Sequence, residues 1–250
     1  MTRILLAERF SAPLLPQLVR IEVAKRLIAI TDALLIEHKL EVYLSHDLED
    51  IARVKRDTKQ ILFQPFNPVF WPDVGGPHEV AIVVVERGGI PVACCATRLI
   101  QLDNSLADNL VTRRLFYPDP HVKGLEGRCI VTAQLAHQIE DVPIALSGCV
   151  WADINSTPRG LIGQIMKILH TWAVSHWYAT WFVGFADERV TRLLGFDAYG
   201  YDQAHKRVVM DFPGLGITVD TFLLASTRRK ARGLYLPNAM EIRDRSEEGQ

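Results

Sequence analysis

A short glycine-containing loop carries the clearest chemical signal in this chain. Its residues are Pro158, Arg159, Gly160, Leu161, Ile162 and Gly163, followed by Gln164. The loop leads from a predicted strand into a predicted helix, so several backbone N–H groups and the positive end of the helix dipole point to one place. Glycines allow a phosphate to approach the backbone closely, and the Arg159 guanidinium adds a positive charge. The loop therefore predicts an anion site between Arg159 and Gln164, for a phosphate or a pyrophosphate.

Two common phosphate motifs do not describe this loop. No Gly-Lys-Ser/Thr sequence follows it, which excludes a P-loop. Gly160 and Gly163 do not complete the G-x-G-x-x-G fingerprint of dinucleotide-binding proteins, and the chain lacks the repeated strand–helix pattern of that fold. The alternative to an anion site is a simple turn, because glycines at a strand-to-helix junction often do no more than make the turn.

The elements that must position the loop follow from hydrophobic periodicity and from the Gly and Pro residues. In chain order they are a helix over 14–38, a helix that Ser45 would cap and that runs to about 58, a β-hairpin over 80–97, a strand over 144–153 and a helix over 161–176. A strand over 180–185, a short helix over 188–194, and strands over 208–212 and 217–225 follow. The unbroken apolar runs of the hairpin indicate strands that are covered on both faces. Gly148, inside a predicted strand, indicates a bulge or a close approach of another segment. The order predicts a mixed α/β domain.

Composition and charge limit the possible partners. Hydrophobic residues make up 48% of the chain and charged residues 23%, the mixture of an ordinary globular protein. Lys and Arg number 28 against 29 Asp and Glu, so there is no overall positive charge to hold nucleic acid or a membrane surface, and neither is expected as a partner. The longest apolar region, 14–36, contains five charged residues, which excludes a membrane-spanning helix.

The four cysteines do not predict a metal site. Cys94, Cys95, Cys129 and Cys149 show no C-x-x-C spacing, and no His-rich segment accompanies them. We expect all four to be reduced, apolar residues of a cytoplasmic protein.

The stretch from Ser147 to Tyr201 resembles the acyl-CoA motif of the GCN5-related N-acetyltransferases (GNAT). The matching parts are the strand over 149–153, the glycine-containing loop, the helix after it, the strand over 181–185 and the sequence Leu194-Gly195-Phe196. The family pattern is Arg/Gln-x-x-Gly-x-Gly/Ala, then a strand, then a helix ending in Leu-Gly-Phe. The order of elements extends the likeness over about 45–225. The resemblance implies a GNAT-like N-acyltransferase fold, an α+β mixed sheet, with an extra N-terminal helix.

The resemblance also implies how the chain would bind a donor. The sheet would open between its fourth and fifth strands, a bulge in the fourth strand would expose backbone groups, and acetyl-CoA or another acyl-CoA, without a metal, would enter the opening. The acyl and pantetheine arm would lie along the backbone of Trp151, Ala152 and Asp153. The pyrophosphate would be held by Arg159, Gly160, Leu161, Gly163 and Gln164. Either Ile162 stands where the strict pattern has glycine or the loop is one residue short, and in both cases the shape of the loop is altered.

The catalytic positions of the family are also altered. Members often carry a Tyr on the short helix that protonates the leaving thiolate. Counting back from Gly195 that position is Thr191, whose hydroxyl is far less acidic than a phenol. Tyr199 or Tyr201 could replace it only if the chain folds back. The usual Glu base on the fourth strand has no counterpart; Ser147 occupies that neighbourhood and is the second candidate catalytic residue.

These residues predict an acyltransferase that moves an acyl group from coenzyme A to an amine of a small molecule by direct attack. Acetyl is the acyl group expected. Two alternatives remain: a non-catalytic module that binds acyl-CoA, and an N-acyl-amino-acid or acyl-homoserine-lactone synthase that uses a carrier-protein thioester. We predict an N-terminal helical extension over 1–44, the acyltransferase domain over 45–225 and a charged tail over 226–250. The extension would either cap the domain or mediate a homodimer.

An aromatic cluster in the Pro-rich segment before the hairpin allows two interpretations. Phe63, Phe66, Phe70 and Trp71 form it. Aromatic residues in an irregular segment usually fill a small core of their own. In the topology that the resemblance implies, the same segment borders the acceptor site, so a role in lining that site is the alternative.

Overall fold

The computed structural model describes residues 4–5, 14, 16–117, 128–188, 199–212 and 216–235. Within these ranges nine strands form one mixed sheet. The strands are β1 (Ile4–Leu5), β2 (Glu41–Ser45), β3 (Val80–Arg87), β4 (Ile90–Gln101), β5 (Cys129–Val131), β6 (Pro143–Ala152), β7 (Trp181–Asp187), β8 (Gln203–Phe212) and β9 (Ile217–Thr227). Their order across the sheet is β1-β2-β3-β4-β6-β7-β9-β8-β5. Neighbours are antiparallel except for β6 and β7, which are parallel.

Helices cover both faces of this sheet. The α-helices within the described ranges are α1 (Gln17–His38), α2 (Leu48–Asp57), α3 (Leu106–Val111), α4 (Gln134–Gln138), α5 (Leu161–His176) and α6 (Arg228–Tyr235), and a 3-10 helix spans Gln64–Phe66. Helix α2 begins after Asp47, whose carboxylate accepts a hydrogen bond of 2.9 Å from the Glu49 N–H. None of these helices combines the length and apolarity needed to cross a membrane.

The central strands are buried on both faces, as the sequence predicts. Along β3, Val83 and Val85 pack in a core formed with α1 and α5, whereas Ile82 and Val84 pack on the other face with α2. This division follows from the alternation of side chains along a strand. Helices α3 and α4 cover the same face as α2, further across the sheet. Helix α5 and helix α2 therefore lie on opposite sides of the sheet.

The sheet opens between β6 and β7. The two strands pair only from Ile144 opposite Trp181 to Ser147 opposite Gly184. Beyond this point β6 continues beside β4, and β7 continues beside β9. Counted from β2, these are the fourth and fifth strands, so the opening implied by the resemblance is confirmed.

Most predicted elements are confirmed, and α5 has the predicted bounds. Strand β8 begins at Gln203 rather than Val208, because its polar first half pairs with β9 without contributing an apolar pattern. The predicted charged tail begins with ordered residues that complete β9 and form α6. Residues 189–198, which include Thr191, lie outside the described residues. The division into segments 1–44, 45–225 and 226–250 stays a prediction.

Candidate active site in the opening of the sheet

A cavity of about 580 Å³ occupies the opening between β6 and β7. One wall comes from β6 and β7, a second from the end of α2 and the segment after it, and a third from β8 and β9. The lining residues are Lys55, Lys59, Gln60, Ile61, Leu62, Phe63, Gln64, Ser147, Gly148, Cys149, Val150, Met166, Gly184, Phe185, Ala186, Asp187, Tyr199, Tyr201, Met210, Ile217, Val219, Thr221 and Leu224. The lining is mainly apolar, with hydroxyl groups and charges at a few positions, which is the usual composition of a small-molecule site.

A β-bulge bends β6 at the edge of the cavity. Gly148 pairs with Ala96 and Trp151 pairs with Cys94, so two residues of β6 lie opposite one residue of β4. Cys149, the residue after Gly148, has a φ of 55°, in the left-handed region that residues other than glycine rarely adopt. The bulge removes Cys149 and Val150 from regular pairing, and both line the cavity. The bulge implied for the fourth strand is therefore confirmed.

Gly148 allows the aromatic segment to reach the sheet. A Cβ on residue 148 would lie 2.7 Å from Phe63 Cδ1 and 2.8 Å from Phe66 Cε2. Phe66 is completely buried, whereas Phe63 is half-buried and forms part of the cavity wall. Phe70 and Trp71 pack elsewhere, against Tyr117 and the Phe116 carbonyl. The aromatic cluster thus fills a core, as the first interpretation predicted, and Phe63 alone of the four lines the cavity.

The Ser147 side chain stands where the two strands separate. Its Oγ lies 2.9 Å from His170 Nε2 and 3.4 Å from Thr97 Oγ1. His170 extends from α5 and is completely buried, and this burial lowers its pKa to about 3. The imidazole is therefore neutral at physiological pH, and it holds Ser147 Oγ by a hydrogen bond without carrying charge into the core.

Tyr201 closes the same end of the cavity. Its hydroxyl oxygen lies 2.6 Å from the position that a Cβ on Gly184 would occupy, and its ring packs edge-on against His170 with centroids 5.2 Å apart. The hydroxyl faces the Ser147 side chain, but it makes no hydrogen bond of ordinary geometry with any described residue. Burial raises the pKa of Tyr201, so the phenol keeps its proton. Tyr201 therefore does reach the opening of the sheet, which is the condition under which a tyrosine could take the role expected of Thr191.

Lys55 provides a positive charge on the α2 side of the cavity. Only 4% of this residue is exposed, although it lines the cavity. Its charge lowers the pKa values of Cys94 and Cys149, which burial raises more strongly, to about 12 and about 11. Both cysteines are therefore neutral thiols, and all four cysteines of the chain are free.

The glycine-containing loop forms the N-terminus of α5, outside the cavity lining. Gly160 immediately precedes the helix with a φ of 82°, a conformation that suits glycine. No described side chain caps the helix, so the N–H groups of its first turn point outward without a side-chain acceptor. Arg159 and Gln164 are exposed beside them, whereas Leu161 is buried and contributes to the loop only through its backbone. The loop thus places an uncapped helix N-terminus beside an exposed guanidinium at the surface.

The strand residues predicted to bind the donor lie between this loop and the cavity. Trp151 and Ala152 pair with β4 beyond the bulge. The Asp153 carboxylate is already occupied, because it accepts hydrogen bonds from the Asn155 N–H at 3.0 Å and from the Ser156 hydroxyl at 2.6 Å. These hydrogen bonds lower its pKa and fix the turn that leads to Arg159. Asp153 thus shapes the loop. Its backbone is engaged as well, because its N–H donates to the Val92 carbonyl at 2.8 Å and its carbonyl accepts from the Thr157 hydroxyl at 2.6 Å.

Sequence reasoning named the strand and loop residues, whose role in binding stays a prediction, but it did not assign to the site three residues at or beside the cavity: Lys55, Gly184 and His170. Lys55 belongs to a short charged helix in which a lysine is expected to face solvent. Gly184 and His170 have no motif that marks them. A glycine within an apolar strand was the one available signal for Gly184, since such a glycine often permits close approach.

Comparisons with known proteins give similarities of structure but not of sequence. No protein-family model matches the chain, and the curated protein sequences contain no match to it. Among solved structures, Arabidopsis thaliana NAA60, in complex with a bisubstrate analogue, is 9% identical with a TM-score of 0.44 and covers 74% of this chain and 97% of its own. FeeM, an N-acyl amino acid synthase from uncultured soil microbes, is 11% identical with a TM-score of 0.45, covering 77% and 95%. Mycobacterium smegmatis RimJ, in complex with CoA-disulfide, is 12% identical with a TM-score of 0.40, covering 81% and 89%.

The class of the domain follows from its own architecture. A mixed α/β sheet holds one parallel pair that separates after Ser147, and a bulge at Cys149 borders the separation. A helix with a glycine at its N-terminus follows directly. These features are the ones that the sequence resemblance to the GCN5-related N-acetyltransferases implied for the fold.

Proposed function

We propose that the protein is an acyltransferase that moves an acyl group from a coenzyme A thioester to the amine of a small molecule. The observation that carries the proposal is the cavity in the opening of the sheet, where the hydroxyl groups of Ser147 and Tyr201 meet at the point of strand separation. A thioester carbonyl placed there would find a hydroxyl donor between two buried side chains.

The donor would bind from the α5 side. The N-terminus of α5, which no described side chain caps although the Leu161 N–H donates to the Pro158 carbonyl, and the exposed Arg159 suit a pyrophosphate, because both favour negative charge at one place. From there the pantetheine arm would run along the backbone of Trp151 and Ala152 to the bulge. Val150 and Met166 line the cavity at this point. In this proposal the donor follows the chain from the N-terminus of α5 along β6 to Ser147.

The reaction needs few groups from the protein. The uncharged amine attacks the thioester carbonyl, the carbon–nitrogen bond forms, and the carbon–sulfur bond breaks as the thiolate leaves. The Tyr201 hydroxyl, which has a raised pKa and a free proton, would donate to the developing oxyanion or to the thiolate. Ser147, held by the neutral His170, would position the carbonyl. The proton lost by the amine balances the proton gained by the thiolate.

The cavity walls favour an acyl group or an acceptor larger than acetyl. Apolar side chains from three different elements face the space, among them Phe63, Met166 and Met210. Burying a chain of methylene groups against such walls contributes about 0.8 kcal/mol for each group. We therefore expect medium or long acyl-CoA donors to react with a higher kcat/KM than acetyl-CoA.

Thiol release from acyl-CoA donors, measured with an amine mixture, tests this function. We expect release with at least one donor and, in Arg159→Ala, roughly tenfold weaker donor binding by calorimetry. Arg26→Ala, which removes an exposed guanidinium on α1, is the matched control and should bind as the wild type does.

The other outcomes of this experiment separate the alternatives. Tight binding of acyl-CoA without thiol release would indicate a non-catalytic binding module. No binding of any acyl-CoA, together with transfer from an acyl carrier protein, would indicate a synthase that uses a carrier-protein thioester. Either result would overturn the proposal as stated.

A further inference from the structure

A buried lysine without a counter-charge faces the cavity. Lys55 lies in the last turns of α2, is 4% exposed and contributes to the cavity wall. Within the described part of the chain Lys55 forms no ion pair, and its ammonium group is not among the fully buried polar atoms that lack a hydrogen-bond partner, so the group reaches the space of the cavity. An ammonium group in a mainly apolar cavity is best stabilised by an opposite charge or by hydrogen-bond acceptors. The missing partner therefore points to an anionic ligand.

The neighbouring protein groups do not supply this partner. Asp50, on the same helix, is bound to Arg53 at 3.3 Å and accepts a hydrogen bond of 2.6 Å from Ser45. Asp187, on the opposite wall, is exposed and makes no ion pair with Lys55. Burial raises the pKa of the Cys149 thiol to about 11, so this neighbour is uncharged as well.

The position of Lys55 distinguishes the two substrates of the proposed reaction. Helix α2 packs on the face of β3 and β4 that carries Ile82 and Cys94, whereas α5 packs on the other face. The phosphates of the donor would bind at the N-terminus of α5, and none of the loop residues 158–164 lines the cavity. An anion beside Lys55 therefore belongs to the acceptor, which would enter from the α2 side.

We infer that Lys55 binds the carboxylate of the acceptor, so that the acceptor is an amino acid or another amine that carries a carboxylate. The inference rests on the proposed function for the identity of the reaction. Lys59 and Gln60, exposed at the same end of the cavity, extend the polar surface toward solvent. A single anionic group at one end leaves the apolar walls for the side chain of the acceptor or for the acyl group.

Matched pairs of acceptors test the inference. Phenylalanine and leucine are compared with phenethylamine and isoamylamine, which lack only the carboxylate. We expect the wild type to favour the acids by roughly 10- to 100-fold in kcat/KM, the range of a hydrogen bond to a charged group. Lys55→Met should remove this preference and leave the amines unaffected. Lys25→Met, on the exposed surface of α1, keeps the preference.

Two results of this experiment would overturn the inference while the proposed function stands. One is equal use of acids and amines by the wild type. The other is an equal loss of both acceptor classes in a Lys55→Met protein that melts as a folded domain, because this would show a structural role only.

If no acceptor is consumed, the proposed function fails. A binding experiment then still tests the carboxylate site. N-octanoylphenylalanine and N-octanoylphenethylamine, analogues of the two products, are titrated by calorimetry. Roughly tenfold tighter binding of the carboxylate to the wild type but not to Lys55→Met would support the carboxylate site. Equal binding of the two compounds to the wild type, or no binding of either, would overturn it.

Discussion

The hydroxyl oxygen of Tyr201 lies 2.6 Å from the position that a Cβ on Gly184 would occupy. Gly184 is the last residue of β7 that pairs with β6, so the tyrosine enters at the point where the strands separate. Any side chain on residue 184 would push Tyr201 away. The absence of a Cβ on Gly184 therefore allows the Tyr201 hydroxyl to lie at the point where the strands separate.

Replacing Gly184 by Ala should therefore damage stability and activity together. The new methyl group would also lie 3.1 Å from Tyr201 Cζ, so the buried ring would have to shift. Overpacking of this kind costs about 1–3 kcal/mol of unfolding free energy, measurable by urea denaturation. Gly233→Ala is the control, since nothing lies within 4 Å of its Cβ in α6, and it should stabilise slightly. Equal stability of Gly184→Ala and the wild type would contradict the packing argument.

Replacing Tyr201 by Phe should separate catalysis from folding. The hydroxyl makes no hydrogen bond of ordinary geometry with the described residues, so its loss should change the unfolding free energy by less than about 1 kcal/mol. If the hydroxyl donates to the oxyanion or the thiolate, kcat should fall by about 10²- to 10³-fold in the thiol-release assay. Tyr178→Phe, 72% exposed on the surface, is the control. A Tyr201→Phe protein with wild-type kcat would exclude this residue as the donor.

Local features of the fold were predictable from the sequence because they depend on neighbouring residues. Helix α5 has the predicted bounds because Gly160 precedes it and its apolar residues recur with helical spacing. Gly148 signalled the bulge of β6 and the close approach of another segment. The hairpin of β3 and β4 followed from its β-branched residues and the Gly88-Gly89 turn.

The cavity was not predictable in the same way, because it depends on contacts between distant segments. Tyr201 reaches Gly184 only through the pairing of β7, β9 and β8, which no local pattern specifies. Lys55 is buried because α2 packs on the sheet beside Cys94 and Cys149, whereas its own helix reads as charged and exposed. The sequence motif thus indicated the residues proposed to bind the donor. The residues proposed to bind the acceptor come together only in the tertiary structure.

Acid should destabilise the protein through His170. Burial lowers the pKa of this histidine from an ordinary 6.5 to about 3, so between these values the unfolded chain binds a proton that the native protein does not. The unfolding free energy therefore falls as pH decreases, by about 2 kcal/mol between pH 7 and pH 5 for this one group. By urea denaturation at both pH values, the unfolding free energy of His170→Gln should fall by about 2 kcal/mol less than that of the wild type.

A second histidine provides the comparison for this experiment. Burial also lowers the pKa of His176, to about 4, so its titration adds to the loss of stability in acid. His176→Gln keeps His170 and should keep the share of the pH dependence that His170 causes. If His170→Gln loses as much stability on acidification as the wild type, the buried imidazole is not its source.

Lys55 should limit the stability of the protein when no ligand is bound. Only 4% of the residue is exposed, and no described carboxylate forms an ion pair with it. Lys55→Met keeps the length of the side chain and removes the charge. We expect it to raise the unfolding free energy by about 1–2 kcal/mol, since apolar replacements of buried charges often stabilise. Thermal unfolding of the two proteins without ligand measures this difference.

A carboxylate ligand should stabilise the wild type more than Lys55→Met. A ligand that binds only the folded state raises its stability in proportion to the logarithm of its concentration over Kd, by about 2.7 kcal/mol at a hundredfold excess. N-octanoylphenylalanine should therefore raise the melting temperature of the wild type more than that of Lys55→Met, narrowing or reversing the difference seen without ligand. A Lys55→Met protein that is less stable than the wild type without ligand would mean that the ammonium is satisfied within the protein, and the acceptor carboxylate would then have no vacant charge to bind.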